Sequence, residues 1–156
     1  MARKAARTTA RRWMLGVAAV ELGLTMAPVL ILTFGVTEYG RAIYTYNTID
    51  KAARDAARYM TAPPPGSSDP AADARNLVVY GNVQGSGSPL APGLSTGMVD
   101  ICRACDGAHI AVPTGSGVVN LVTVRISGYV YNSIVTYVAP ATLNFSDISV
   151  TMRTNL

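Results

Sequence analysis

One uninterrupted stretch, 14–60, holds two different patterns with no strong helix breaker between them, and it constrains the rest of the chain. From 13 to 36 the only charged side chain is Glu21. About 20 apolar residues rising 1.5 Å each are enough to cross a hydrocarbon core of about 30 Å. From Tyr39 onward apolar residues recur at Ala42, Ile43, Tyr46, Ile49, Ala53, Ala56, Ala57 and Met60, the three-and-four spacing of a single helical stripe. Arg41, Asp50, Lys51, Arg54, Asp55 and Arg58 occupy the opposite face, with Asp50 to Arg54 and Lys51 to Asp55 spaced to pair along the helix. Pro63-Pro64-Pro65-Gly66 ends it. The expectation is one helix about 70 Å long, half fit for lipid and half fit to lie against a folded domain.

Charge separates this helix from what precedes it. Of thirteen Lys and Arg, five (Arg3, Lys4, Arg7, Arg11 and Arg12) precede Gly16, leaving eight against nine acidic residues in the body of the protein. The positive charge therefore belongs to a leader, 1–16, and a basic nucleic-acid face is not expected. Residues 1–12 are polar enough to be expected unstructured. Basic residues stay cytoplasmic, which puts the chain after the membrane segment on the other side. A cleaved secretory signal would occupy the same place, but 13–36 is longer than an ordinary signal core, lacks a small-x-small site after it and runs into an amphipathic helix.

Glu21 is the anomaly, because a carboxylate in a membrane segment is costly unless it is paired, neutralised or interfacial. It lies five residues after Gly16, with a basic leader before and an apolar run after, the arrangement at which prepilin peptidases cut. Gly16-Val-Ala-Ala-Val-Glu21, the apolar run with Pro28, Phe34-Gly-Val-Thr-Glu38-Tyr39-Gly40-Arg41-Ala42 and Ala52-Ala-Arg-Asp-Ala-Ala-Arg58-Tyr59 together resemble the TadE-like proteins, pseudopilins of the Tad (Flp, type IVb) pilus assembly system. Leu22 departs from the aromatic residue usual after the glutamate.

The resemblance implies cleavage after Gly16 by a prepilin peptidase, a mature N-terminus at Val17, and a Glu21 carboxylate that offsets the free amine of a neighbouring subunit. It also implies a bacterial inner-membrane protein with a periplasmic C-terminal domain, working with other Tad pilins and pseudopilins and the assembly platform, and open to incorporation in an extracellular pilus. An interfacial Glu21 is the plain alternative. Pro28 should kink the membrane half, 17–36. Gly23 and Gly35 offer small surfaces where another helix can approach during subunit assembly.

After the amphipathic half, 37–62, the remaining 63–156 is expected to be a small extracytoplasmic domain. Asp69-Pro70 looks like a helix start with one or two turns to Arg75, followed by a short strand at 77–80. The Gly, Ser and Pro of 81–96 indicate an extended loop. Weak strands are expected at 98–102 and 110–112, and a strong one at 118–126 with Val122, Val124 and Ile126 on one face and Thr123 and Arg125 on the other. Gly128 marks a bulge before a strand at 129–131, 133–138 fits a strand or a single helical turn, and 143–152 is the last strand, with Ile148, Val150 and Met152 inward. Short turns without crossover helices predict an antiparallel sheet. The fold class is α+β and pilin-like: a long N-terminal helix packed on a small antiparallel sheet.

Cys102-x-x-Cys105 admits a local structural disulfide, a reduced pair or a redox motif. A redox motif would open a helix in a βαβ unit, which the sequence does not provide here. Adding Asp106 and His109 gives four zinc-type ligands in eight residues, but no second metal-binding pair follows, so neither metal nor other cofactor is expected. His109 is the single histidine, and no nucleophile elbow or phosphate loop accompanies it. The expected role is structural and non-enzymatic. The competing reading is a single-pass periplasmic protein whose cysteine pair exchanges disulfides.

Overall fold

The structure is a computed structural model that describes residues 3–115 and 117–154, with side chains from Gly16 onward. Helix α1 runs Arg3–Thr61 without interruption, through Pro28. The first twelve residues, expected to be unstructured, are helical from Arg3; the two before it, and the leader's side chains up to residue 15, lie outside those described. Ala, Arg and Lys are good helix formers, and extending an existing helix avoids the cost of nucleating one.

Helix α2, Pro70–Tyr80, follows the proline-rich turn. Asp69 caps it, accepting from the backbone N–H of Ala71 and Ala72 at 3.1 and 3.0 Å, and Pro70 opens the first turn. The strand expected at 77–80 is instead the last turn of this helix. Gly81, at φ 73°, closes the turn with its N–H on the Leu77 carbonyl. Val78 and Val79 are fully buried with Ala74 beside α1, so packing outweighs the β-branched residues' modest preference against helix.

The strands are β1 Val99–Arg103, β2 Val112–Thr114, β3 Gly117–Ile126, β4 Val130–Asn132, β5 Thr142–Asn144 and β6 Ile148–Thr154. Central β3 pairs antiparallel with β1 (Val99 opposite Ile126), with β6 (Ile126 opposite Ile148, Asn120 opposite Thr154) and, at its start, with β2. Val122, Val124 and Ile126 are buried as the alternation requires, each contributing about 1.5–3 kcal/mol by leaving water. The stripe Ile49, Ala53, Ala56, Ala57 and Met60 of α1 joins them in one core. Alanine lets the helix axis come close to the sheet. Ile43, assigned to that stripe from its spacing, is exposed, and Thr45 is buried in the same region. Arg54 pairs with Asp50 along the helix as expected.

Gly128 adopts φ 72°, a left-handed turn that takes the chain out of the main sheet rather than a bulge within it. β4 and β5 form a separate two-stranded ribbon. The expected final strand is broken in two between Asn144 and Ile148. There Phe145 turns into an aromatic cluster and Asp147 binds Arg125. The segment 133–138 makes one tight turn, with the Val138 and Ala139 N–H groups on the Val135 carbonyl.

Candidate functional site

Helix α1 changes environment at Glu38. Every described residue from Gly16 to Phe34 is exposed, Gly35 is half-buried and Glu38 is buried. Thr25, Thr33 and Thr37 each return their hydroxyl to a carbonyl three or four residues back, at 2.8–3.0 Å. These hydroxyls are satisfied by the helix itself, as an apolar surrounding demands. The helix is long and apolar enough to cross a membrane, and it is compatible with a single-pass anchor.

The residues singled out for processing and assembly lie along this exposed half. Gly16 and Gly23 have open space around them, Val17 is exposed, and Glu21 points outward with no side-chain partner among the described residues. Gly35 is different. A Cβ there would lie 3.2 Å from Val138 of the same chain, so the small surface expected to admit another helix already faces this protein's own domain.

Just beyond, Glu38 forms a clamp that sequence reasoning missed. Its Oε1 accepts from the Arg41 guanidinium at 2.8 Å, from the Tyr131 hydroxyl at 2.9 Å and from the Ile134 N–H at 3.0 Å. Arg41 also donates to the Asn132 carbonyl at 2.9 Å and lies over the Tyr131 ring, 4.7 Å from its centre. Tyr131 stacks on Phe145, which meets Tyr46 and Tyr129. The Arg41 guanidinium, outweighing the opposing effect of burial and helped by the Ile134 N–H, lowers the Glu38 carboxyl from 4.5 to about 2. Burial, with Glu38 alongside, pushes the Tyr131 phenol up. The sequence places Glu38 only in the family pattern, and Arg41 there and on the polar face of the helix, whereas the structure turns Arg41 onto Glu38, Asn132 and Tyr131. The available signal was a carboxylate three residues before an arginine at the point where apolar character ends.

The cysteines lie at the opposite end of the domain. Thr154 donates to the Thr61 carbonyl at 3.0 Å and meets Arg103 of the strand that carries Cys102. Twenty-three helical residues, about 35 Å, separate that level from Glu38. Cys102 and Cys105 form a disulfide. Cys102, Cys105, Asp106 and His109 bring their ligand atoms within 4.8 Å of one another. His109 is held at both nitrogens, by Asp106 at 2.5 Å and by Thr123 Oγ1 at 2.9 Å, and it draws the Asp106 carboxyl below the usual range. Zinc coordination would require both sulfurs as thiolates, whereas here they are bonded to each other.

A long helix with an exposed apolar half and a small antiparallel α+β domain clamped to its other half defines the architectural class. Comparison with known proteins adds a likeness over part of the chain. The family model for TadE-like proteins matches residues 16–58, the same family the sequence resembles. The match begins at Gly16 and ends within α1, covering both glutamates and none of the sheet. No curated protein and no solved structure matches the chain.

Proposed function

We propose that this protein is a pseudopilin or minor pilin of a Tad (Flp, type IVb) pilus, matured by a prepilin peptidase between Gly16 and Val17 and acting through protein contacts. The observation that carries the reading is an outward Glu21, unpartnered among the described residues, on an exposed apolar helix. Cleavage would create a charged amine at Val17, and Glu21 of a neighbouring subunit would offset it, since two opposite charges buried together cost less than either alone. In this reading the helix from Val17 carries assembly, with Gly23 and Pro28 on its open surface. The protein sits in a bacterial inner membrane with its N-terminus cytoplasmic and its sheet domain periplasmic, beside other Tad pilins and the assembly platform.

The test is the intact mass and N-terminal sequence of the protein recovered from membranes, with and without the peptidase, alongside Glu21→Ala. The expected result is a chain beginning at Val17 only when the peptidase is present. A full-length chain, or a cut near Tyr39, overturns the proposal.

The disulfide favours a second reading, a periplasmic thiol-disulfide protein, because Cys105 is exposed. Against it, Cys102 lies within β1 and Cys105 just past its end, and among the described residues no helix N-terminus lies there to lower a thiol's pKa. Replacing both cysteines by serine separates the two: pilus assembly persists with loss of a reductase activity only under the second.

A further inference from the structure

We propose that the turn at 133–138 is a second membrane contact, which sets Ile134 and Tyr137 into the interfacial layer of the leaflet that faces the domain. The inference rests on the anchored reading of α1 and adds a lipid-binding surface on the folded domain.

Three observations converge on it. The first is depth. The apolar run ends at Val36, and the turn is fixed to the helix on either side of that point, by Val138 against Gly35 and by the Ile134 N–H on Glu38. The turn therefore lies at the level where the helix leaves the hydrocarbon.

The second is exposure. Tyr137 is 100% exposed and Ile134 75%, in a domain whose other large apolar side chains are mostly drawn into the core. Tyrosine favours the membrane–water boundary because its ring is apolar and its hydroxyl is polar. Part of the turn's backbone is satisfied by the protein, with the Val138 and Ala139 N–H groups on the Val135 carbonyl and the Ser133 N–H on the Ala141 carbonyl, and the polar interfacial layer can serve the rest, as the hydrocarbon could not.

The third is charge. No charged residue occurs between Arg125 and Asp147, a span that contains the whole turn, whereas the far end of the domain carries Arg103, Asp106 and Arg153. An apolar cleft of about 570 Å³ continues the surface, bordered by Leu32, Val36, Tyr39, Ile43 and Val138. It lies beside the apolar half of the helix and is lined by apolar side chains. Two contacts, helix and turn, would fix the domain's orientation on the bilayer, where the helix alone would leave it free to rotate about one axis.

The test uses the full chain in phospholipid vesicles, with Tyr137→Cys carrying an environment-sensitive fluorophore and nitroxide lipids as shallow quenchers. Ser88→Cys is the control, exposed in the loop that packs near Thr48 and Asp55, about 15 Å further along the helix. Cys102 and Cys105 are joined and do not compete for label. The expected result is a blue-shifted probe at 137 whose emission falls with shallow quencher, as an interfacial side chain requires, and no quenching at 88. A water-like, unquenched probe at 137 on protein that floats with the vesicles overturns the proposal and leaves the anchor intact. Protein that does not float overturns both. A blue shift that appears only at high protein density, without quenching, assigns the surface to a second copy of the chain and overturns the lipid contact.

Discussion

Glu38→Ala should destabilise the domain far more than an ordinary surface change on the same helix. The native carboxylate is 4% exposed and accepts three hydrogen bonds, from Tyr131, Ile134 and Arg41. Truncation leaves a buried hydroxyl and a backbone N–H without their acceptor, each costing about 1–3 kcal/mol. Arg41 contributes less, because its side chain is 33% exposed and keeps Asn132 and water. The sum is about 3–5 kcal/mol, the range for breaking one side of a buried pair. For a chain of this size that lowers Tm by about 6–20 °C. Glu38→Gln keeps the shape and one acceptor oxygen, so about 1–2 kcal/mol is expected. The assay is thermal unfolding of the full chain in mild detergent, followed by near-ultraviolet circular dichroism, which reports the Tyr131–Phe145 surroundings and not the long helix. An alanine variant that melts with the native protein, or a glutamine variant worse than alanine, would refute the clamp.

The same carboxylate gives the domain an acid limit. Its folded pKa is depressed to about 2 from 4.5, so its stabilisation is complete above about pH 5 and is lost as pH falls toward 2; Glu38→Gln should flatten that part of a Tm-against-pH curve. Ala53→Leu, at a position with no exposure between helix and sheet, should cost about 1–3 kcal/mol by overpacking and lower the denaturant midpoint, while Ile43→Ala, on the exposed side, should leave the midpoint of the same titration nearly unchanged.

What could be seen in the sequence was whatever repeats at short range. The break at Pro63, the alanine stripe and the inward set Val122, Val124 and Ile126 follow from periods of 3.6 and 2. Elements decided by distant contacts were misplaced. Leu77-Val-Val-Tyr80 has strand composition, yet capping by Asp69 and Gly81 and burial beside α1 make it helix. The continuous strand expected at 143–152 breaks because Phe145 has three aromatic partners from two other places in the chain, Tyr46 on α1 and Tyr129 and Tyr131 at β4. Glu38 was hidden for the same reason: two of its donors, Tyr131 and Ile134, are more than ninety residues away. Spacing along the helix reveals Arg41 and nothing else of the clamp.

Two glutamates on one helix have been given opposite circumstances. Glu38 is enclosed, and its three donors come from the helix and from the segment after β3, so its charge is spent holding the domain to α1. Glu21 lies seventeen residues earlier, exposed and with no side-chain partner among the described residues. An uncompensated carboxylate on an apolar helix is unfavourable in lipid, and in the proposed function its partner is the Val17 amine of a neighbouring subunit. The clamp also leaves α1 on its own up to Phe34, with the domain's first contact at Gly35. Helix-to-helix assembly along 17–34 can therefore proceed without disturbing the sheet. That division agrees with the extent of the TadE-like match, which covers the helix with both glutamates and stops before the domain.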